Sequence, residues 1–201
     1  VAVFPAAITT DAPPYMPAIA VGDYTYRALG TTPAGTEVGV YYLPGGDADA
    51  TTGTRSLAGY FAFYESTLGA YAFGDHVASV AAPWGPGAYG GMEHHPFWHV
   101  ASAAMASPEV HAHGAAHGWF GDGVRITCWE DFVLSEGLAS YLAARAIESV
   151  DGATAGDAIW ADYAAQLDAA IASGDTIALP DSTCDAIDIA VHPLWSNVPY
   201  M

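Results

Sequence analysis

The sequence predicts an α+β fold with sheet and helices segregated, and three observations predict it. Stretches rich in Val, Tyr and Thr and bounded by turn residues come first. Apolar residues at helical spacing come later, and no internal repeat breaks that order. At 201 residues and 52% hydrophobic content, the chain is long enough for one domain with a proper core.

The strands are read first. Ala18 to Leu29 and Glu37 to Leu43 have strand composition, with Thr31 to Gly35 as the turn between them. Asp47 to Gly53 reads as a polar loop. Leu57, Tyr60, Phe61, Tyr64 and Leu68 then fall on one helical face, which predicts a helix over Thr54 to Tyr71. His76 to Ala82 is a short apolar strand stopped by Pro83, and a glycine-rich loop, Trp84 to Gly91, leads into Met92, Glu93, His94 and His95. Residues 1–53 are therefore expected to be mainly strands and 54–201 mainly helical, within a single domain.

Three further helices follow. Ser107, Pro108 and Glu109 make a good helix start: a capping hydroxyl, a proline in the first turn and an acid at the positive end of the dipole. This helix carries His111, His113 and His117. A second, Trp129 to Val150, carries Glu136, and a third places Ile159, Tyr163, Leu167 and Ile171 at four-residue intervals before Gly174. Residues 177–201 read as loop.

The charge balance excludes whole classes of partner. Twenty-two acids face four arginines and no lysine, a net charge of −18. Nucleic acid and anionic membrane surfaces would repel such a chain, and Gly, Pro and charges interrupt every apolar stretch before it could span a bilayer. The acidity reads as a solvated surface, as in proteins adapted to salt, ahead of a cleft for cationic substrates. Val1 to Pro5 carry no basic segment of the signal-peptide kind. Cys128 and Cys184 are too few for a disulfide scaffold or a thiolate metal site, and a single bridge and two buried thiols both remain open. A secreted or periplasmic location is preferred to a cytoplasmic one.

The chemistry concentrates in His113-Gly-Ala-Ala-His117 and Glu136. Two histidines four apart on a helix lie one turn above each other, so both imidazoles reach one ion. A carboxylate from a second helix completes a His₂Glu set, a catalytic zinc arrangement with one open position. In the H-E-x-x-H motif the glutamate after the first histidine accepts a proton from metal-bound water. Gly114 stands at that place. His111 faces away from the His113/His117 stripe and is expected to be structural or at the surface. Pro96 breaks any helix between His95 and His99, which argues against a second metal site there. Trp119, Trp129 and Tyr141 are expected in the core, and Glu130 and Asp131 are candidates for orienting a ligand histidine.

His113 to Gly121, followed by Trp129 to Tyr141, resembles the core of the aminopeptidase N-type zinc metallopeptidases, the gluzincins. The resemblance includes the Trp-Phe-Gly after the second histidine and the spacing from His117 to Glu136. Gly90-Gly-Met-Glu-His94 resembles the family's G-x-M-E-N loop, and Ala18 to Tyr24 resembles the segment leading into the catalytic domain. The resemblance implies a thermolysin-like domain holding one Zn²⁺ through His113, His117 and Glu136. It implies a peptide or aminoacyl substrate whose free α-amino group meets Glu93, with Gly91 and Met92 lining the substrate. It also implies that Tyr200 donates a hydrogen bond to the oxyanion, and that the polypeptide continues past Met201 into a helical region.

This chain departs from the family pattern in three places. Gly114 replaces the general base, His94 replaces the Asn after Glu93, and the stretch from Glu93 to His113 is shorter than usual. Glycine is a poor mid-helix residue, costing ~1 kcal/mol against alanine, so local folding does not call for it. Removing a glutamate side chain is expected to open a polar gap beside the metal, large enough for ordered water or a small carboxylate.

Overall fold

The computed structural model describes residues 17–84 and 90–174, with the side chains of Trp129 and Glu130 outside the description. Five strands form one mixed sheet: β1 (Thr25–Thr31), β2 (Glu37–Tyr42), β3 (His76–Ala82), β4 (Gly91–Met92) and β5 (Phe97–Ala101). Their order across the sheet is β1-β2-β3-β5-β4. The β1–β2 and β4–β5 pairs are antiparallel, and β2–β3 and β3–β5 are parallel. The helices are α1 (Asp47–Thr54), α2 (Leu57–Leu68), α3 (Pro108–Ala116), α4 (Glu136–Asp151) and α5 (Ala153–Ser173). The α+β architecture is the one the sequence predicts.

Several boundaries move, for physical reasons. The first strand starts at Thr25, where pairing with Tyr42 begins, and not at Ala18. Asp47 to Thr54 is a helix, not a loop: Asp47 and Asp49 lie in its first turn, where the helix dipole favours acids. Ala50, Gly53 and Thr54 are its buried residues. The sheet also runs on to Ala101, because the parallel β3–β5 pair needs a crossover and so draws its partner from further along the chain. Residues 129–134 form a 3₁₀ segment, so α4 begins at Glu136 itself.

α3 is positioned from two sides. It packs against β5 and β4 on one side and against α4 and α2 on the other. Its buried residues Ala112, Ala115 and Ala116, with Ala139, Ala143 and Ala146 of α4, are small enough to bring the two helices close. Beneath them lies an aromatic layer in which Phe61 contacts Tyr71, Trp98 and Trp119 at centroid separations of 5.0, 6.4 and 5.2 Å. Aromatic rings bury large areas and fix their neighbours' orientation. Trp119 belongs to this core as expected, whereas Tyr141 is 51% exposed and lies against Trp160.

Candidate metal centre

Local sequence explains how α3 presents its histidines. Ser107 caps the helix, its hydroxyl accepting from Val110 N, and Pro108 occupies the first turn. His113 lies in the last turn and His117 at the C-terminal cap, one turn apart. Glu136 enters from the first position of α4.

The three side chains meet. His113 Nε2 lies 3.0 Å from Glu136 Oε2, His117 Nε2 lies 3.4 Å from the same oxygen, and the two Nε2 atoms are 2.9 Å apart. Zinc held tetrahedrally at ~2.0–2.1 Å places neighbouring donors ~3.3–3.4 Å apart. The observed triangle is slightly smaller than that, with all three donors converging on one point. His117 and Glu136 are buried and His113 is partly so. Among the described residues this is the one group of three or more potential donors close enough to share an ion.

The outward-facing nitrogens are engaged in the sense that metal binding requires. His117 Nδ1 donates to the Phe120 carbonyl at 2.9 Å, so the neutral imidazole keeps its Nε2 lone pair for the centre. His113 Nδ1 lies 3.3 Å from the Ser140 hydroxyl, one turn beyond Glu136 on α4. Gly121 makes the first of these bonds possible. Its φ of +112° turns the chain after Phe120, and a β-carbon there would lie 2.6 Å from His117 Nδ1. Ser140 and Gly121 are therefore part of the site. The sequence signals for them were the i+4 spacing from Glu136 and the glycine closing Trp-Phe-Gly; Asp131 is not among the partners found.

Electrostatics point the same way. Burial disfavours a charged imidazole at His117, yet Glu136, Glu93 and Asp122 together outweigh it and push its pKa up to about 10. Burial also acts against the Glu136 carboxylate, but His117 and His113 hold its pKa well below the usual range. The pocket is thus arranged to hold positive charge. Glu93, half-buried in the turn after β4, is near enough for its charge to act on His117.

The face of α3 carrying Gly114 is different, and the expected gap is not there. A β-carbon on Gly114 would lie 2.6 Å from Cδ1 and 3.1 Å from Nε1 of Trp98. Packing thus does call for glycine, contrary to the reading from helix propensity. His111 is fully buried, which excludes the surface alternative. Its Nε2 donates to the Met105 carbonyl at 2.9 Å, leaving Nδ1 to accept from Ser79 at 2.8 Å. His95 Nε2 donates to the Gly114 carbonyl and its Nδ1 accepts from Tyr71, both at 2.7 Å. Tyr200 and Cys184 lie outside the described residues, while Cys128 is not a free thiol.

Two imidazoles one turn apart and a buried carboxylate from a second helix make a group able to hold a metal ion, of the kind that zinc metallopeptidases use. Comparison with known proteins makes the assignment more specific. The peptidase family M1 domain matches residues 92–193, and the chain belongs to that family. It is 31% and 32% identical over 151 residues to the leucine aminopeptidases 2 of Emericella nidulans and Aspergillus niger, matches covering 70% of this chain and 22% of each relative. The chain thus corresponds to about a fifth of those proteins' length.

Among solved structures, an M1 zinc metallopeptidase from Deinococcus radiodurans, as a glutamate-to-alanine variant, superposes with a TM-score of 0.61 at 23% identity. That match covers 89% of this chain and 38% of the other. The same protein bound to a Tyr-Ser-Ala substrate gives a TM-score of 0.60 at 25% identity, covering 74% and 34%. The fold is the thermolysin-like catalytic domain of these metallopeptidases.

Proposed function

We propose that this chain is the zinc-binding catalytic domain of an aminopeptidase-type protein whose turnover is weak or absent because Gly114 stands in place of the general base. The observation that carries the reading is the contrast at α3: a complete donor triangle of His113, His117 and Glu136, beside a position with no side chain to accept a proton. One zinc ion bound by the triad would polarise a scissile carbonyl and lower the pKa of its water.

The remaining roles belong to the chain's own groups. The half-buried Glu93 carboxylate pairs with a substrate α-ammonium, a charge-assisted contact that selects free N-termini. Gly91 and Met92 form the edge strand β4 against Val100 and His99, and line the peptide. Tyr200 supports the oxyanion. General acid–base help is typically worth ~10²–10⁴-fold, and Gly114 forgoes it. Glu109 is a poor substitute, because its Oε1 already accepts from Tyr163 at 2.8 Å.

A second reading, a non-catalytic zinc domain that binds peptides, is favoured by one observation: Trp98 closes the space beside Gly114. A secreted or periplasmic location is in keeping with the absence of a free thiol at Cys128. No helix of the described residues is long and apolar enough to cross a membrane.

The test combines metal content with hydrolysis and binding of an aminoacyl-chromophore substrate by the full-length protein. Stoichiometric zinc with bound but barely cleaved substrate is expected. Hydrolysis at ordinary enzyme rates would mean that another base acts and that the inference from Gly114 is wrong.

A further inference from the structure

The indole of Trp98 is fully buried in β5, and its environment leaves it little freedom. Phe61 stacks near-parallel at 6.4 Å and 6°, and His95 at 5.0 Å and 27°. His95 in turn is tied to the Gly114 carbonyl and to Tyr71. Gly114 is thus a point where α3 lies directly against this aromatic stack. A β-carbon there would come within 3.4 Å of three indole atoms, Cδ1, Nε1 and Cγ. These are atoms of the rigid five-membered ring, so a small torsional adjustment does not relieve the contact. The Trp98 Nε1–H has no hydrogen-bond partner among the described residues, a cost that a buried indole normally avoids.

We propose that Trp98 and Gly114 are a coupled pair: the indole occupies the volume that a side chain at 114 needs, so the missing base cannot be restored at position 114 alone. The inference rests on the reading of Gly114 as the site of the missing base and goes beyond it. A single glutamate-to-glycine lesion leaves an empty space, whereas here a second residue fills that space. Trp98 acts as a positioning residue: it sets whether anything can stand at 114 and itself touches no substrate. The same packing accounts for glycine in the middle of a helix, because the ring leaves no room for even a methyl group.

The pair is testable in the full-length protein, with a readout independent of turnover. Gly114→Ala is expected to lower the thermal midpoint of the domain by roughly 2–8 °C, the overpacking cost outweighing the gain in helix propensity. In a Trp98→Val background, which is itself less stable, the same change is expected to cost nothing or to stabilise. A Gly114→Ala effect of equal size in both backgrounds, or a rise in midpoint beside the native Trp98, would overturn the proposal.

The second arm reads chemistry with zinc content checked in every variant. Gly114→Glu alone is expected to hydrolyse aminoacyl-chromophore substrate no faster than the parent, and Gly114→Glu with Trp98→Val at least ~10²-fold faster. Equal rescue by the single change would overturn the coupling while supporting the peptidase reading. Packing coupling together with a silent double variant would support the pair and overturn the peptidase reading.

Discussion

The two faces of α3 lie within one helical turn of each other and answer to different constraints. The face toward α4 holds His113 and His117 against Glu136, each imidazole fixed from behind by Ser140 or the Phe120 carbonyl. The face toward β5 holds Gly114, where Trp98 and His95 press on the backbone. On the first face polar donors converge and charge is balanced. On the second the space is filled by the Trp98 indole, and the helix offers only its carbonyl, which accepts from His95. The contacts that bring the three potential donors together are therefore separate from those that fill the space at Gly114, although both act within a single turn.

The largest effect should come from breaking the first face. His117→Ala removes one of three protein donors, and zinc content measured by elemental analysis should fall from one per chain to near none after dialysis against a mild chelator. Retained stoichiometric zinc would show that the triad is not the metal centre.

The second face, through His95, and the sheet behind it, through His99, can be probed with acid. Burial, aided by neighbouring His117 and His94, lowers the pKa of His95 to about 3, and burial with His94 lowers that of His99 to about 4. Both must therefore stay neutral in the folded chain. Their contribution is present above the unfolded value of ~6.5 and lost as pH falls toward the folded values. Each adds up to ~1.4 kcal/mol of lost stability per pH unit in that window. Urea midpoints between pH 7 and 4 should fall accordingly, and a His95→Gln variant should show a shallower slope. An unchanged slope would place the acid sensitivity elsewhere.

Ser140→Ala sharpens the comparison further, since it touches the first face without removing a ligand. Loss of an orienting partner typically costs ~10–100-fold in metal affinity, and chelator competition should find a weakening in that range with the circular dichroism spectrum unchanged. The smallest effect tests the cap that sets the helix in place: Ser107→Ala should cost ~1 kcal/mol in urea unfolding, with zinc affinity altered less than by Ser140→Ala.

Local sequence is enough to read the His113, His117 and Glu136 cluster, the helix that carries two of its members and the α+β class. These follow from local periodicity: an i, i+4 pair shares a face whatever surrounds it, and Ser107-Pro108-Glu109 starts a helix through its own caps and dipole. The stop at Gly174 was legible for the same reason, being a left-handed cap. Where α4 begins, the helical nature of Asp47 to Thr54 and the long-range partners β4 and β5 were not legible, because packing and parallel pairing decide them. Gly114 shows the difference most directly. Read along the chain, it is a helix-weakening residue and a vacancy beside the metal. Tertiary structure alone brings Trp98, sixteen positions away, onto that spot. A clash is a property of two surfaces in space, and no local propensity carries it.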